Sequence, residues 1–301
     1  MYFHAMTTDR RLTAAGRPDF ASQVDYGDSS TVSRRFLIVY SQFLPSQLRP
    51  EDRWSLRNNA SLADYFAKLK VCIDNEIPDP AFDGPVCLDY EIALNYDLLV
   101  VRGGHERWPG TPDQYDNWLA MVLGRTIDSI RELRPKARIG LYDTPIRHSP
   151  SDYVEARLRH DSLHWLWKRV SVLFPDCYLQ ARSIQSATWD DYSDGIVRPT
   201  FNQAVIAEQI NEAKRISLGC HEVIPFSMLR YDRPTVSGIH RRFLEDVDFN
   251  SAFRLPMAIG ADGVALWDSF GTLDPFDPDR AELQAAEDLR QINEQLRSRP
   301  L

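Results

Sequence analysis

Short apolar, β-rich runs alternate with longer amphipathic stretches along this chain, and that alternation limits its fold more than any other feature. A helix repeats its apolar face every 3.6 residues, whereas a strand buried on both faces reads as a short unbroken apolar run. Runs of the second kind are Phe36 to Tyr40, Pro85 to Glu91, Ala137 to Tyr142, Cys177 to Leu179, Val223 to Met228 and Gly263 to Trp267. Between them the spacing predicts helices over 61–76, 111–134, 151–173, 203–218 and 244–259, with a last helix over 279–297. Pro112 suits the first turn of the second helix, Pro175 stops the third and Gly219 closes the fourth. Strands that alternate with helices through short connections predict a parallel sheet. Six strands are legible, with room for one or two more near the N-terminus. The length of 301 residues favours closure into a (β/α) TIM-type barrel of seven or eight strands; an open doubly wound sheet is the alternative. The polar, turn-rich residues 1–33 read as an N-terminal arm, and 34–301 as a single barrel domain.

Composition narrows the function. A hydrophobic share of 43% with 26% charged residues is that of an ordinary globular protein. No run of apolar residues is long enough for a membrane span. The net charge is −8, and basic residues cluster only in pairs such as Arg34-Arg35 and Arg241-Arg242, which argues against nucleic acid. The first twenty residues lack the apolar segment of a secretory signal, so either the protein is intracellular, which is slightly favoured, or a leader is absent from this sequence, and the location is left open. Oligomeric state is left open. The four cysteines show no C-x-x-C spacing and read as core thiols, Cys72 on a helix, Cys87 and Cys177 in strands. Asn59-Ala60-Ser61 is a formal glycosylation sequon, but Ser61 followed by Asp64 also reads as a helix cap. Leu158, Leu163, Leu166 and Val170 form a helical core stripe, and Asp274 to Asp279 is a turn cluster that opens the last helix. His160 and His164 are four apart on a predicted helix, yet no third metal ligand accompanies them. With no glycine-rich nucleotide turn and no G-x-S-x-G elbow, neither metal nor organic cofactor is implied, and the serine-hydrolase signal is missing.

The chemistry concentrates at Val86-Cys87-Leu88-Asp89-Tyr90-Glu91. On a strand, Asp89 and Glu91 point to one face, at its C-terminal end. Two adjacent carboxylates repel, so one is expected to hold its proton near neutrality, and a protonated acid beside an ionised partner suits glycosidic bond cleavage. The alternative is a strand end whose acids face solvent or cap the next helix.

With the strands placed, the order of motifs resembles the hyaluronidase family, glycoside hydrolase family 56. Phe82-Asp83-Gly84-Pro85 running into Val86 to Glu91 is similar to that family's F-x-G-x-x-V-I-D-W-E. Arg134-Pro135 with Ile139-Gly140-Leu141-Tyr142 resembles R-P-x-x-x-W-G-Y-Y. Asp161 to Trp167 followed by Leu173 to Leu179, Val223 to Phe226 with Tyr231-Asp232, and Gly260 to Trp267 resemble its later strands in the same order. The resemblance implies a substrate-assisted retaining endo-glycosidase acting on glycans with an N-acetylhexosamine at the cleaved position. Glu91 would be general acid and base, and Asp89 would orient the attacking acetamido group. Tyr178, Tyr231 and Trp267 would line the donor sugar, with Tyr90 and Tyr142 among the substrate-binding residues. For Tyr178 and Trp267, ordinary barrel packing is the alternative. Tyr90 replaces the motif's tryptophan, Ile92 to Tyr96 stand where the family has W-R-P, and its cysteine framework is not reproduced. Arg182, Arg230 and Arg233 either meet uronate carboxylates from rim loops or are ordinary surface residues. A glycosidase for a non-acetylated sugar and a non-catalytic glycan-binding barrel remain as rival readings.

Overall fold

The computed structural model describes residues 1–27, 29–40, 58–89, 111–145, 153–179, 198–231, 243–271, 275–299 and 301. Its strands in chain order are β1 (Tyr2–His4), β2 (Thr7–Thr8), β3 (Val32–Ser33), β4 (Leu37–Tyr40), β5 (Pro85–Asp89), β6 (Arg138–Leu141), β7 (Val172–Leu173), β8 (Glu222–Val223), β9 (Phe226–Ser227), β10 (Val264–Leu266) and β11 (Ser269–Phe270). The helices are α1 (Arg10–Ala14), α2 (Asn59–Glu76), α3 (Pro112–Leu133), α4 (Tyr153–Ser162), α5 (His164–Trp167), α6 (Arg198–Ser217), α7 (Asp246–Phe249), α8 (Leu255–Ala258) and α9 (Pro278–Ser298). They fall into two compact units: Met1–Arg34, Cys177–Ile210 and Pro225–Leu301 form one, Arg35–Asp176 and Asn211–Ile224 the other.

In the first unit the sheet order is β3-β1-β10-β9, all parallel, with Phe3 opposite Ala265 and Ala265 opposite Phe226. The β2–β11 pair prolongs the β1–β10 ladder through Ala5 N to Leu266 O and Thr7 N to Asp268 O, each 3.0 Å. Residues 1–33 thus supply strands to this sheet. In the second unit β4-β5-β6 run parallel, with Val39 opposite Leu88 and Leu88 opposite Leu141. The Tyr142–Phe174 bridge and Ser171 N to Ile139 O (2.7 Å) lead on to the β7–β8 pair. Every pairing between the named strands is parallel, as a β/α alternation requires, and an isolated antiparallel bridge joins Arg230 to Phe243.

The helices are built as their periodicity demands. On α2 the buried residues are Leu62, Tyr65, Leu69 and Ile73, one apolar face, each burial contributing about 1.5–3 kcal/mol. The Tyr65 hydroxyl meets Thr126 Oγ1 of α3 at 2.8 Å, and Thr126 in turn donates to Val122 O. Thr111 caps α3 in a reciprocal box with Gln114. The cap of α2 is not Ser61, which lies inside the helix; Asn58 Oδ1 takes the Ala60 N–H at 2.8 Å instead.

Four further sequence expectations are corrected. The helix expected over 151–173 breaks at Leu163 into α4 and α5, and Val172–Leu173 are a strand, because these apolar residues are buried against β8. Leu158 of the expected core stripe is 66% exposed. The strand expected over 223–228 is two strands: Pro225 has no N–H for a ladder, and it separates β8, paired with β7, from β9, paired with β10. The helix expected over 244–259 contains a π-helical segment, Asn250–Arg254, between α7 and α8. Its wider turn frees carbonyls, and side chains supply them: Ser227 Oγ donates to Ala252 O at 2.9 Å and the Tyr2 hydroxyl to Phe253 O at 3.3 Å. Cys177–Leu179 are extended, with Cys177 N bonded to Phe226 O at 3.1 Å. Cys87 and Cys177 are buried, Cys72 is only half-buried, Cys220 is exposed, and none of the four is in a disulfide.

Gly140 of β6 packs against β7 and the Phe174 ring that follows it. A Cβ there would lie 2.3 Å from Val172 O and 2.7 Å from the Phe174 ring. Gly140→Ala should therefore cost about 1–3 kcal/mol of stability, read as a lowered urea midpoint. An unchanged midpoint would show that the two strands can separate without penalty.

Candidate active site

Asp89 is the last residue of β5 and is half-buried. Alternation along β5 puts Cys87 and Asp89 on one face. Tyr40 is the register partner of Asp89 on β4. On the other side, Tyr142 follows the Leu88–Leu141 pair and donates its N–H to Leu88 O at 3.1 Å, so it takes the next rung beside Asp89. Tyr40, Asp89 and Tyr142 thus form a row across the C-terminal ends of three parallel strands. Beyond Tyr142 the chain turns sharply: Asp143 has φ 54°, a left-handed conformation that costs a non-glycine residue about 1 kcal/mol or more and tends to mark functional turns. Tyr40 was not singled out from the sequence. The signal was there, since its apolar run ends in a tyrosine just as the 137–142 run does. Glu91 and Tyr90 lie outside the described residues.

The first unit gathers the other aromatic candidates. The Tyr178 ring leans on Trp267 at 5.7 Å between centroids, tilted by 32°, and meets Phe226 edge-on at 6.4 Å. Trp267 immediately follows β10, its N–H held by Ser227 O at 2.9 Å, and it remains half-buried. Tyr231 is buried, and its hydroxyl donates to Asp248 Oδ2 at 2.5 Å while receiving the Glu245 N–H at 3.3 Å. Asp248 is itself fixed by Asn202 Nδ2 at 2.7 Å. The tyrosine hydroxyl is therefore oriented by α7. Arg230 cannot meet a uronate: it is 2% exposed and paired with Asp268 and Asp288. Arg182 and Arg233 lie outside the described residues.

His160 and His164 do not converge as a metal-binding pair. The helix break at Leu163 separates them, leaving His160 fully buried and His164 exposed. His160 Nδ1 instead bonds Glu212 Oε1 at 2.8 Å, and Arg215 donates two further bonds to the same carboxylate. Among the described residues no group of three His, Cys, Asp or Glu side chains is placed to hold a metal ion.

Parallel β/α units with polar and aromatic side chains just past their strand ends place the protein in the parallel β/α class, to which the (β/α) barrels belong. The solved structure of bee venom hyaluronidase matches with a TM-score of 0.63 at 17% identity, over 98% of each chain. The same enzyme in complex with a hyaluronic acid tetramer matches with a TM-score of 0.59 at 19% identity, over 85% of this chain and 84% of that one. The sequence model of the hyaluronidase family covers residues 113–275, more than half of the chain, and the chain belongs to that family. That span holds Tyr142, Tyr178, Tyr231 and Trp267 but begins after Asp89 and Glu91. Among individual relatives, human hyaluronidase-1 is 26% identical over 71% of this chain and 53% of its own length. Human hyaluronidase-3 is 32% identical over 48% of this chain and 34% of its own. The hyaluronidase of the wasp Polybia paulista is 22% identical over 65% and 72%. The chain spans about half the length of human hyaluronidase-1.

The Glu212 cluster gives a pH prediction. Burial pushes its carboxyl up, but hydrogen bonds from Arg215 and His160 outweigh this and hold it down, from 4.5 to about 2. A carboxyl depressed on folding adds stability above its unfolded value and loses it as the pH falls through its folded one. Stability should therefore drain between about pH 4.5 and pH 2. Glu212→Gln should cost about 3 kcal/mol at neutral pH and flatten that decline. An unchanged acid limb in urea titrations would mean the ion cluster does not hold this unit together.

Proposed function

We propose that the protein is a retaining endo-glycosidase that hydrolyses glycans with an N-acetylhexosamine at the cleaved position. The observation that carries this reading is Asp89, seated at the C-terminal end of β5 between Tyr40 and Tyr142 and followed two residues later by Glu91. Membership of the hyaluronidase family supports it, as does the complex of the bee venom enzyme with a hyaluronic acid tetramer.

In this reading Glu91 protonates the leaving glycosidic oxygen while the substrate's own acetamido oxygen attacks the anomeric carbon. Asp89 accepts a hydrogen bond from the acetamido N–H and holds that group in line. An intramolecular attack held in line avoids the entropy of bringing in an external nucleophile, worth several kcal/mol. The cyclic intermediate is then opened by water, from which Glu91 takes a proton, and two inversions at one carbon leave its configuration retained. In this reading the sugar's apolar face falls to Trp267, which leans on Tyr178. Tyr40 and Tyr142 are the neighbours of Asp89 across the strand ends of their own unit. Tyr231 acts from the geometry that Asp248 imposes on it.

The deciding assay sets hyaluronan, chondroitin, chitin oligomers and matched sugars without the acetamido group against wild type and Glu91→Gln. Cleavage confined to N-acetylated glycans, with kcat reduced about 100-fold or more in Glu91→Gln, is the expected result. Equal cleavage of the non-acetylated set would replace substrate assistance with the two-carboxylate scheme. A wild type that cleaves nothing would leave a non-catalytic barrel.

Asp248 yields a separate prediction. Asp248→Asn keeps the shape but weakens its grip on the Tyr231 hydroxyl. It should lower kcat by about tenfold with a small change in KM. Unchanged kinetics would show that the orientation of Tyr231 is unimportant to turnover.

A further inference from the structure

The geometry points to a buried ion cluster, Arg230 with Asp268 and Asp288, as the device that positions Tyr231 and Trp267; this extends the site proposed above and assigns it residues that touch no sugar. Arg230 immediately precedes Tyr231, and Asp268 immediately follows Trp267. The Arg230 Nε donates to Asp268 Oδ2 at 2.8 Å and Nη1 to Asp288 Oδ1 at 3.1 Å. All three residues are at most 4% exposed.

Neighbouring residues on an extended chain point to opposite faces. Trp267 leans on Tyr178 while Asp268, one step on, engages Arg230. The same alternation sets Tyr231, whose hydroxyl is on Asp248, against Arg230. Each aromatic residue is thus anchored through its backbone by an ionic partner on the far side. Asp288 belongs to α9 and accepts from Gln284 at 3.0 Å, which ties both loops to a helix of 21 residues. Asp268 Oδ1 also takes the Ser269 N–H at 2.8 Å, and the Phe243 ring covers the guanidinium at 5.5 Å.

Burying two carboxylates with one guanidinium is a poor way to gain stability, since apolar side chains of the same size generally do as well or better. What the cluster supplies is direction: a planar fork whose two arms reach different elements fixes their mutual placement. Nη2 of Arg230 has no hydrogen-bond partner among the described residues, so the fork is committed to Asp268 and Asp288 at the expense of full satisfaction.

The test combines Arg230→Met, Asp268→Asn and Asp288→Asn, which removes all charge and preserves the bonds that Ser269 N and Gln284 donate. Near-ultraviolet circular dichroism is recorded with and without Trp267→Phe, in the wild-type and triple-variant backgrounds. The expected result is a folded protein whose Trp267 difference band loses about half its intensity or more, with kcat on a cleaved N-acetylated oligosaccharide reduced about tenfold and KM little changed. An intact band with wild-type kinetics would overturn the assignment. If wild type cleaves no glycan, the catalytic reading fails, and the band alone still decides whether the cluster sets the ring. If the triple variant does not fold, Arg230→Lys replaces it, keeping the charge but losing the fork; here too a weakened band is expected and an unaltered one refutes the role.

Discussion

The register of β4, β5 and β6 is the constraint on which the candidate chemistry depends. Asp89 stands between Tyr40 and Tyr142 only because Leu88 pairs with Val39 and Leu141 one rung below. A slip of one residue would turn Asp89 to the opposite face and replace it in the row with Leu88 or Tyr90. That register is held by burial on both faces of β5, where Val86, Cys87 and Leu88 are fully inaccessible, and by the missing side chain at Gly140, which lets Val172 and Phe174 close in. The apolar strand interior and the polar strand end are thus one design: the first sets the alignment, and the second displays what the alignment brings together.

Buried polar groups do the finer placement. Asp248 orients Tyr231 from α7, and Asn202 steadies Asp248. The π segment between α7 and α8 is accommodated because Ser227 and Tyr2 supply donors to its carbonyls. Since an unsatisfied polar group in the interior costs about 1–3 kcal/mol, each such bond narrows the conformations available around Tyr231 and its neighbours. The structure invests these groups in the first unit, next to the aromatic residues, whereas the second unit carries its main ion cluster on Glu212 and surrounds Asp89 with strand ends.

Charge separates this chain from a generic binder of polyanions. The net charge is −8, and Arg230 is paired inside the first unit. Recognition in the proposed function accordingly rests on the acetamido group and on stacking, with no role assigned to a uronate contact at Arg230.

Much of this was determined by the sequence alone. Apolar runs of three to seven residues are too short for stable helices of their own and read as strands buried on both sides, so the β/α order, the parallel pairing and the exit of Asp89 from a strand end were all legible. Pattern along the chain encodes such local facts. It does not encode which partner a residue meets, and there the tertiary structure decided. Pro225 divides one apolar run between two ladders, Val172–Leu173 leave a helical pattern because β8 offers them a partner, and Asn58 rather than Ser61 caps α2. Tyr40 enters the row beside Asp89, and Arg230 leaves the surface for Asp268 and Asp288, because pairing across distances of dozens of residues is set by packing, burial and charge compensation, which no local period records.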